Sequence, residues 1–140
     1  MSDDLLADPR LKEAESKAFD AERAERSGDH AQARSLYTAA AELDLLVVLD
    51  GVHEPNNRST IAEECVCLFA RAGRYDRAIE AGERILAVST SLTDDGVTTL
   101  RELLAEHRLV DPRPAKPASK HRRQIAHRTS HPPPKRHPAL

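Results

Sequence analysis

The sequence predicts an all-helical protein with about five helices, followed by a C-terminal tail. Apolar residues recur at steps of three and four between Asp8 and Leu109, which is the period of an amphipathic helix. Helix start and stop residues separate the periodic stretches from one another. From Asp111 onward the chain has seven prolines and almost no large apolar residue. These observations predict a helical domain over residues 1–110 and a disordered tail over residues 111–140.

Charge divides the chain at the same place. Residues 1–110 contain 13 basic and 22 acidic residues, whereas residues 111–140 contain 8 basic and 1 acidic residue. The overall net charge of −2 therefore conceals an acidic body and a basic tail rich in proline and histidine. With no tryptophan and 3% aromatic residues, the body is expected to have a modest core of Ala, Leu, Val and Ile.

The first two helices are predicted from their ends. Asp8 suits an N-cap, and Pro9 suits the first helical position, where its missing N–H costs no hydrogen bond. The pattern breaks at residues 27–29, and a second helix is expected from about His30 to Asp50. The predicted inward residues are Leu11, Ala14, Ala18 and Ala21 in the first helix, and Ala33, Leu36, Tyr37, Ala40, Leu43 and Val47 in the second.

A third helix is expected to start near Ser59 or Thr60. Thr60 and Glu63 have the spacing of a capping box, in which the two side chains satisfy free backbone N–H groups at a helix start. Pro55 and the asparagines after it are accordingly assigned to the loop that closes the second helix. The third helix is expected to stop at Gly73 and to bury Ile61, Cys65, Leu68 and Phe69.

Two further helices complete the predicted domain. The fourth is expected from about Tyr75 to Val88, and Gly82 inside it suggests that a neighbouring backbone comes close, since glycine costs a helix about 1 kcal/mol relative to alanine. The fifth follows the cap Thr93 and is expected to end by Leu109. The inward residues are Ala78, Ala81, Ile85 and Leu86, and then Val97, Leu100, Leu103 and Leu104.

The two cysteines are predicted to be buried or half-buried free thiols. Cys65 and Cys67 lie two residues apart in a helical pattern, so their side chains point in different directions around the axis and cannot pair. The histidines nearby have no spacing typical of a zinc site. No metal or cofactor is expected.

Several classes of protein are disfavoured by the sequence. The first ten residues lack the basic and apolar regions of a secretory signal, and no apolar run approaches the roughly 20 residues that span a bilayer, so a cytoplasmic protein is expected. His53-Glu54, Asp94-Asp95 and Glu106-His107 are better explained by a loop, a helix start and a helix end than by catalysis. Without a phosphate-binding loop, nucleophile elbow or HExxH pattern, we expect no enzyme.

The chain contains two similar segments separated by 45 residues. Gly28, His30 and Ala33 align with Gly73, Tyr75 and Ala78, and each glycine lies in a short turn between two helices. Glycine adopts the positive φ that ends the first helix, and the small alanine lets the second helix approach closely. The repeated unit is therefore an antiparallel helical hairpin.

These hairpins resemble the tetratricopeptide repeat (TPR). The likeness is carried by GDHAQARSLYTAAAELD from Gly28 and GRYDRAIEAGERIL from Gly73, which place glycine, alanine and aromatic residues at family positions. The spacing of 45 exceeds the family's usual repeat of about 34 residues, and neither second helix ends in proline. The resemblance implies an irregular pair of hairpins capped by a fifth helix, and a plain helical bundle is the alternative.

The resemblance also implies that the protein binds a peptide or another protein in a groove lined by the first helix of each hairpin. The groove positions fall on Glu15, Glu22 and Glu25 of helix one and on Thr60, Glu63, Cys67 and Arg71 of helix three. This mostly acidic set lacks the lysines and asparagines with which some family members grip a C-terminal carboxylate. These acidic residues predict that the groove binds a basic segment of a partner, or the chain's own tail. The alternative is that they form an ordinary solvent-exposed helix face with no ligand.

A second class of function would start from the tail. Its basic segments HRRQIAHR and PPPKRHP could contact the phosphates of a nucleic acid or an anionic surface. No aromatic residue lies among them for base stacking, and the acidic body would repel the same polyanion. A non-catalytic interaction module is therefore preferred, with nucleic-acid binding as the alternative.

Overall fold

A computed structural model describes residues 8–88, 90 and 92–110, which form five α-helices and no strand. The all-helical class and the number of helices predicted from the sequence are confirmed. The predicted tail from residue 111 lies outside the described residues. The helices are α1 (Pro9–Arg26), α2 (His30–Asp50), α3 (Pro55–Arg71), α4 (Tyr75–Leu86) and α5 (Asp94–Val110).

Helices α1 and α2 begin where the sequence predicts. The Asp8 carboxylate accepts a hydrogen bond from the Arg10 N–H at 2.9 Å and caps α1, and Asp29 caps α2 by accepting from Gln32 at 3.1 Å. Gly28 and Gly73, the two predicted hinge glycines, have φ values of 88° and 74°. Only glycine takes this conformation without strain, so both turns depend on it.

Helix α3 begins a full turn before its predicted start, and the predicted capping box is wrong. Pro55 occupies the first turn, and the Arg58 N–H donates to the Glu54 carbonyl at 2.9 Å. The Thr60 hydroxyl donates to the Asn56 carbonyl at 3.2 Å, as a threonine inside a helix does. Proline needs no N–H partner in the first turn, so Pro55 starts this helix instead of preceding it.

The last two helices keep their predicted places. Helix α4 ends at Leu86, two residues before the predicted end, and α5 continues to Val110. Thr93 accepts a hydrogen bond from the Gly96 N–H at 2.9 Å, which confirms the predicted cap of α5. The Ser59 hydroxyl in turn accepts from the Thr93 N–H at 3.0 Å, so α3 fixes where α5 starts.

The helices pack in the order in which they occur along the chain. Each pairs with the next, α3 also packs against α5, and α2 also touches α4. The odd-numbered and even-numbered helices therefore form two layers. Within the described residues α1 packs mainly along α2, and α5 packs mainly against α3 and α4.

The core between the layers is built largely from the predicted inward residues. Tyr37, Phe69, Ile85, Leu100 and Leu104 are its largest fully buried apolar or aromatic side chains. Leu11, Ala18, Leu36, Leu43, Leu86, Val97 and Leu103 are partly buried at its edge. The prediction for the cysteines is also confirmed: Cys65 is buried, Cys67 is half-buried, and both are free. Burial raises the pKa of both thiols.

Gly82 has the close neighbour that the sequence suggested, but it is a side chain and not a backbone. A methyl group on Gly82 would overlap the side chain of Leu104 on α5. Leu104 is only 1% exposed, so it has little room to move aside. We expect Gly82→Ala to lower the free energy of unfolding by about 1–2 kcal/mol in urea denaturation, because the overlap outweighs the better helix propensity of alanine.

The double variant with Leu104→Ala is the control for this prediction. Leu104→Ala alone should cost about 2–5 kcal/mol, and in its presence alanine at position 82 should no longer destabilise, since the overlapping atoms are gone. A Gly82→Ala protein about 1 kcal/mol more stable than the wild type would show that α4 and α5 separate easily.

Candidate functional site

Three of the seven residues predicted to line a groove lie together between α1 and α3. The Arg71 guanidinium on α3 is 3.7 Å from Glu22 and 3.5 Å from Glu25, both on α1. It lies over the ring of Tyr37 on α2, 4.5 Å from the ring centroid. The Tyr37 hydroxyl donates to Glu25 at 3.1 Å. One arginine therefore links α1 to α3 above α2.

The other four predicted residues do not form one group with these three. Glu15 lies on α1 and interacts electrostatically with Glu64 of α3. Burial raises the pKa of Cys67, and Glu63 and then Glu106 of α5 raise it further, so this part of α3 faces α5. Thr60 is exposed and bonded within its own helix. The predicted set is thus divided between the two sides of α3.

Asp44 is the main feature of the site that the sequence did not predict. This aspartate of α2 is 1% exposed, and its Oδ2 atom has no hydrogen-bond partner among the described residues. Burial, and then repulsion from Glu64, raise the pKa of Asp44 to about 8. The protein around Glu64 removes part of its hydration and raises its pKa too, and Glu15 adds to this effect. We call Glu15, Asp44 and Glu64 the acidic cluster.

Helical geometry places Asp44 at the boundary between α1 and α3. Tyr37 lies seven residues earlier on α2, which is close to two full turns, so the two side chains leave the helix in nearly the same direction. Tyr37 contacts Glu25 of α1 and Arg71 of α3. We call this strip, where α1 and α3 meet above Tyr37 and Asp44, the α1–α3 seam.

A second polar network lies at the end of the seam that is farther from Arg71. His53 Nε2 donates to the Asp8 carboxylate at 2.8 Å, and Arg10 forms ion pairs with Asp8 and Asp50. The hydrogen bonds from Arg10 hold the pKa of Asp8 well below its ordinary value against the opposing effect of burial, and the hydrogen bond from His53 adds to the lowering. An open cavity of about 780 Å³ borders this network, but Arg10 and His53 both already pair with Asp8.

An exposed aromatic side chain lies on the seam side of α1. Phe19 follows Glu15 by four residues and precedes Glu22 by three, so the three share one face of the helix. Phe19 is 57% exposed, whereas Phe69, the other phenylalanine, is fully buried. Phe19 was not predicted as a site residue, although a phenylalanine outside the inward positions of α1 is a sequence signal for an exposed aromatic side chain.

The acid and histidine pairs that the sequence assigned to structural roles are spread over different elements. His53 is buried against Asp8, and Asp94 and Asp95 form the first turn of α5. His107 is buried, and its ring centroid lies 5.6 Å from that of Tyr75. In the part of the chain that is described, no three His, Cys, Asp or Glu side chains are arranged to hold a metal ion. None of the helices found there has the length and apolar character needed to cross a bilayer.

No protein-family model matches the chain, and neither the curated proteins nor the solved structures compared with it contain a match. The resemblance to the tetratricopeptide repeat therefore depends on the residues of the two hairpins, and it stays a prediction.

Proposed function

We propose that this protein is a non-catalytic, TPR-like interaction module that binds a basic segment of a partner protein along the α1–α3 seam. The observation that carries the proposal is the combination of uncompensated carboxyl groups on both sides of the seam with an exposed aromatic ring beside them. Acidic groups attract and orient a basic segment, and an aromatic side chain supplies apolar contact area at low entropic cost.

The packing order of the helices supports this proposal. A partner needs an accessible surface between helices, and α1 is joined to α3 mainly through α2 and through the ion pairs of Arg71. In a closed five-helix bundle the first helix would pack against the last and cover such a surface. Here α1 packs along α2, and both Phe19 and Glu15 on α1 are exposed.

Phe19→Ala tests whether the seam is the binding surface. The probe is a fluorescein-labelled peptide that contains arginine and leucine residues in a glycine-serine background, titrated with the full chain at low salt. We expect Phe19→Ala to weaken binding about tenfold in fluorescence anisotropy, because the variant removes an interface aromatic. Its free energy of unfolding should change by less than about 0.5 kcal/mol, since the side chain is exposed.

Leu46→Ala is a matched control for this experiment. Leu46 lies on α2 and is 58% exposed, almost the same fraction as Phe19, but it is outside the face shared by Glu15, Phe19 and Glu22. We expect the peptide to bind this variant as tightly as the wild type. Equal losses in the two variants would place the binding surface elsewhere.

A further inference from the structure

Two levels of the α1–α3 seam are related by the same step of seven residues on all three helices. One level contains Glu22 of α1, Tyr37 of α2 and Arg71 of α3. The other level contains the acidic cluster: Glu15 is seven residues before Glu22, Asp44 is seven after Tyr37, and Glu64 is seven before Arg71. Helix α2 runs antiparallel to α1 and α3, so these shifts all move the same way along the seam. Seven residues are about two turns, or roughly 10 Å.

The first level already contains a cation of the chain itself. The Arg71 guanidinium lies between Glu22 and Glu25 and rests on the ring of Tyr37. At the end of the seam near Asp8, Arg10 and His53 likewise contact the Asp8 carboxylate. Both ends of the seam therefore already hold positively charged or hydrogen-bonding partners for their acids.

The level between them holds three carboxyl groups instead. Glu64 stands where Arg71 stands two turns away, so an acid replaces the cation. Among the described residues, no lysine or arginine forms an ion pair with a member of the acidic cluster. Buried Asp44 has an oxygen without a hydrogen-bond partner. Ala18 occupies the position equivalent to Glu25, so α1 places a small apolar residue at this level where the first level has a second acid.

We infer that the acidic cluster binds the guanidinium group of an arginine in the partner's basic segment, at the position that corresponds to Arg71 two turns away. This inference rests on the proposed function, because it names the group that the seam would recognise. A guanidinium is planar and has five N–H donors, which can pair with several carboxylates at once, whereas the ammonium of lysine is a single point charge.

Binding of a cation at this level is coupled to the loss of a proton from Asp44. The pKa of Asp44 is about 8 in the free protein, so its carboxyl group is mostly neutral at pH 7. A guanidinium beside it favours the ionised form, and the complex releases a proton. Glu64 on α3 acts on Asp44 directly, and Glu15 on α1 acts through Glu64. Asp44 in turn adds to the burial that raises the pKa of Cys65 on α3. Arg77 of α4 pairs with Glu42 at 3.0 Å.

Variants that each replace one carboxyl group by an amide, inside and outside the acidic cluster, test the inference in the full chain. The probe is the arginine-leucine peptide, with a second version in which citrulline replaces arginine and so removes the charge while keeping the shape. We expect Glu64→Gln to weaken binding of the arginine peptide at least tenfold at pH 7.5. Glu13→Gln, which changes an exposed carboxyl of α1 outside the seam, should weaken it less than twofold. The wild type should bind the citrulline peptide at least tenfold more weakly than the arginine peptide. Glu64→Gln should weaken binding of the citrulline peptide little further.

The pH dependence of binding provides an independent measurement. From pH 6 to pH 8 the wild type should bind the arginine peptide about tenfold more tightly, because release of a proton is favoured at higher pH. Asp44→Asn has no proton to release, so its affinity should vary less than threefold over this range.

The outcomes separate the inference from the proposed function. If Glu64→Gln and Glu13→Gln weaken binding equally, or if citrulline replaces arginine without loss of affinity, the inference is overturned. The proposed function would survive in that case provided that Phe19→Ala still weakens binding. If the wild type binds neither peptide at low salt, both are wrong.

Discussion

Asp44→Asn is expected to make the protein more stable at pH 8, by about 2 kcal/mol or more in urea denaturation. The wild-type carboxyl group must either ionise inside the protein or keep a proton that solvent would remove in the unfolded chain. The amide of asparagine has nearly the same shape and carries no charge at any pH. Its own unsatisfied hydrogen-bonding groups cost about 1–3 kcal/mol, which is less than the cost of the ionisable group at high pH.

The sign of the pH effect follows from the raised pKa of Asp44. Unfolded, the residue loses its proton near its ordinary pKa of 3.8, whereas in the folded protein it keeps the proton up to about pH 8. Between these values the folded state binds more protons, so the free energy of unfolding falls as pH rises and levels off above pH 8. The window of about four pH units corresponds to several kcal/mol, since one unit is about 1.4 kcal/mol.

The difference between the Asp44→Asn and wild-type proteins isolates this contribution. Other groups titrate in the same range, and the subtraction removes them because both proteins share them. Glu13→Gln, which changes an exposed carboxyl of α1, should give a pH profile parallel to that of the wild type. A constant difference between Asp44→Asn and wild type from pH 5 to pH 8 would mean that Asp44 is already ionised at pH 5.

Asp8→Ala is expected to lower the free energy of unfolding at pH 7 by about 2–4 kcal/mol. Asp8 caps α1 and accepts hydrogen bonds from Arg10 and from His53, which is itself buried. The loss of an N-cap costs about 1 kcal/mol, and leaving a buried partner unsatisfied costs about 1–3 kcal/mol more. Because the pKa of Asp8 is lowered on folding, its contribution is complete above the ordinary pKa of 3.8 and declines as the pH falls below it.

Asp29→Ala is the matched control for Asp8→Ala. Asp29 caps α2 through the Gln32 N–H, but it is exposed. We expect Asp29→Ala to lower the free energy of unfolding by about 1 kcal/mol, the contribution of an N-cap alone. Guanidinium chloride would screen the ion pairs, so urea titrations should be used. Equal losses in the two variants would show that the contacts of Asp8 with Arg10 and His53 add nothing to stability.

The positions of most helices were predictable because their end signals act locally. Asp8 and Asp29 cap the N–H groups of the next residues, and Gly28 and Gly73 adopt a backbone conformation that depends on no distant contact. The predicted start of α3 was wrong for a related reason. Pro55 and the capping-box pattern at Thr60 both indicate a helix start, and no local rule decides which of the two the chain uses.

The candidate site was predictable only in part. Glu22, Glu25 and Arg71 were selected from the sequence, and the fold brings them together. Asp44 was missed because an aspartate within an amphipathic helix is ordinarily expected on the exposed face. Helix α2 lies between α1 and α3 and also touches α4, so more than one of its faces is covered. The periodicity of a single helix does not reveal how many neighbours it has.

The sequence alone determined the helical class, the hinge glycines, most caps and the apolar faces, because each of these depends on residues within a few positions of one another. The tertiary structure decided which charges meet. Glu15, Asp44 and Glu64 lie on three different helices. The pKa values of Asp44 and Glu64 are raised by burial and by repulsion from neighbouring acids, and both causes arise only when those helices pack. Electrostatic energies depend on distance and hydration in space, and neither quantity is encoded in the local pattern of the chain.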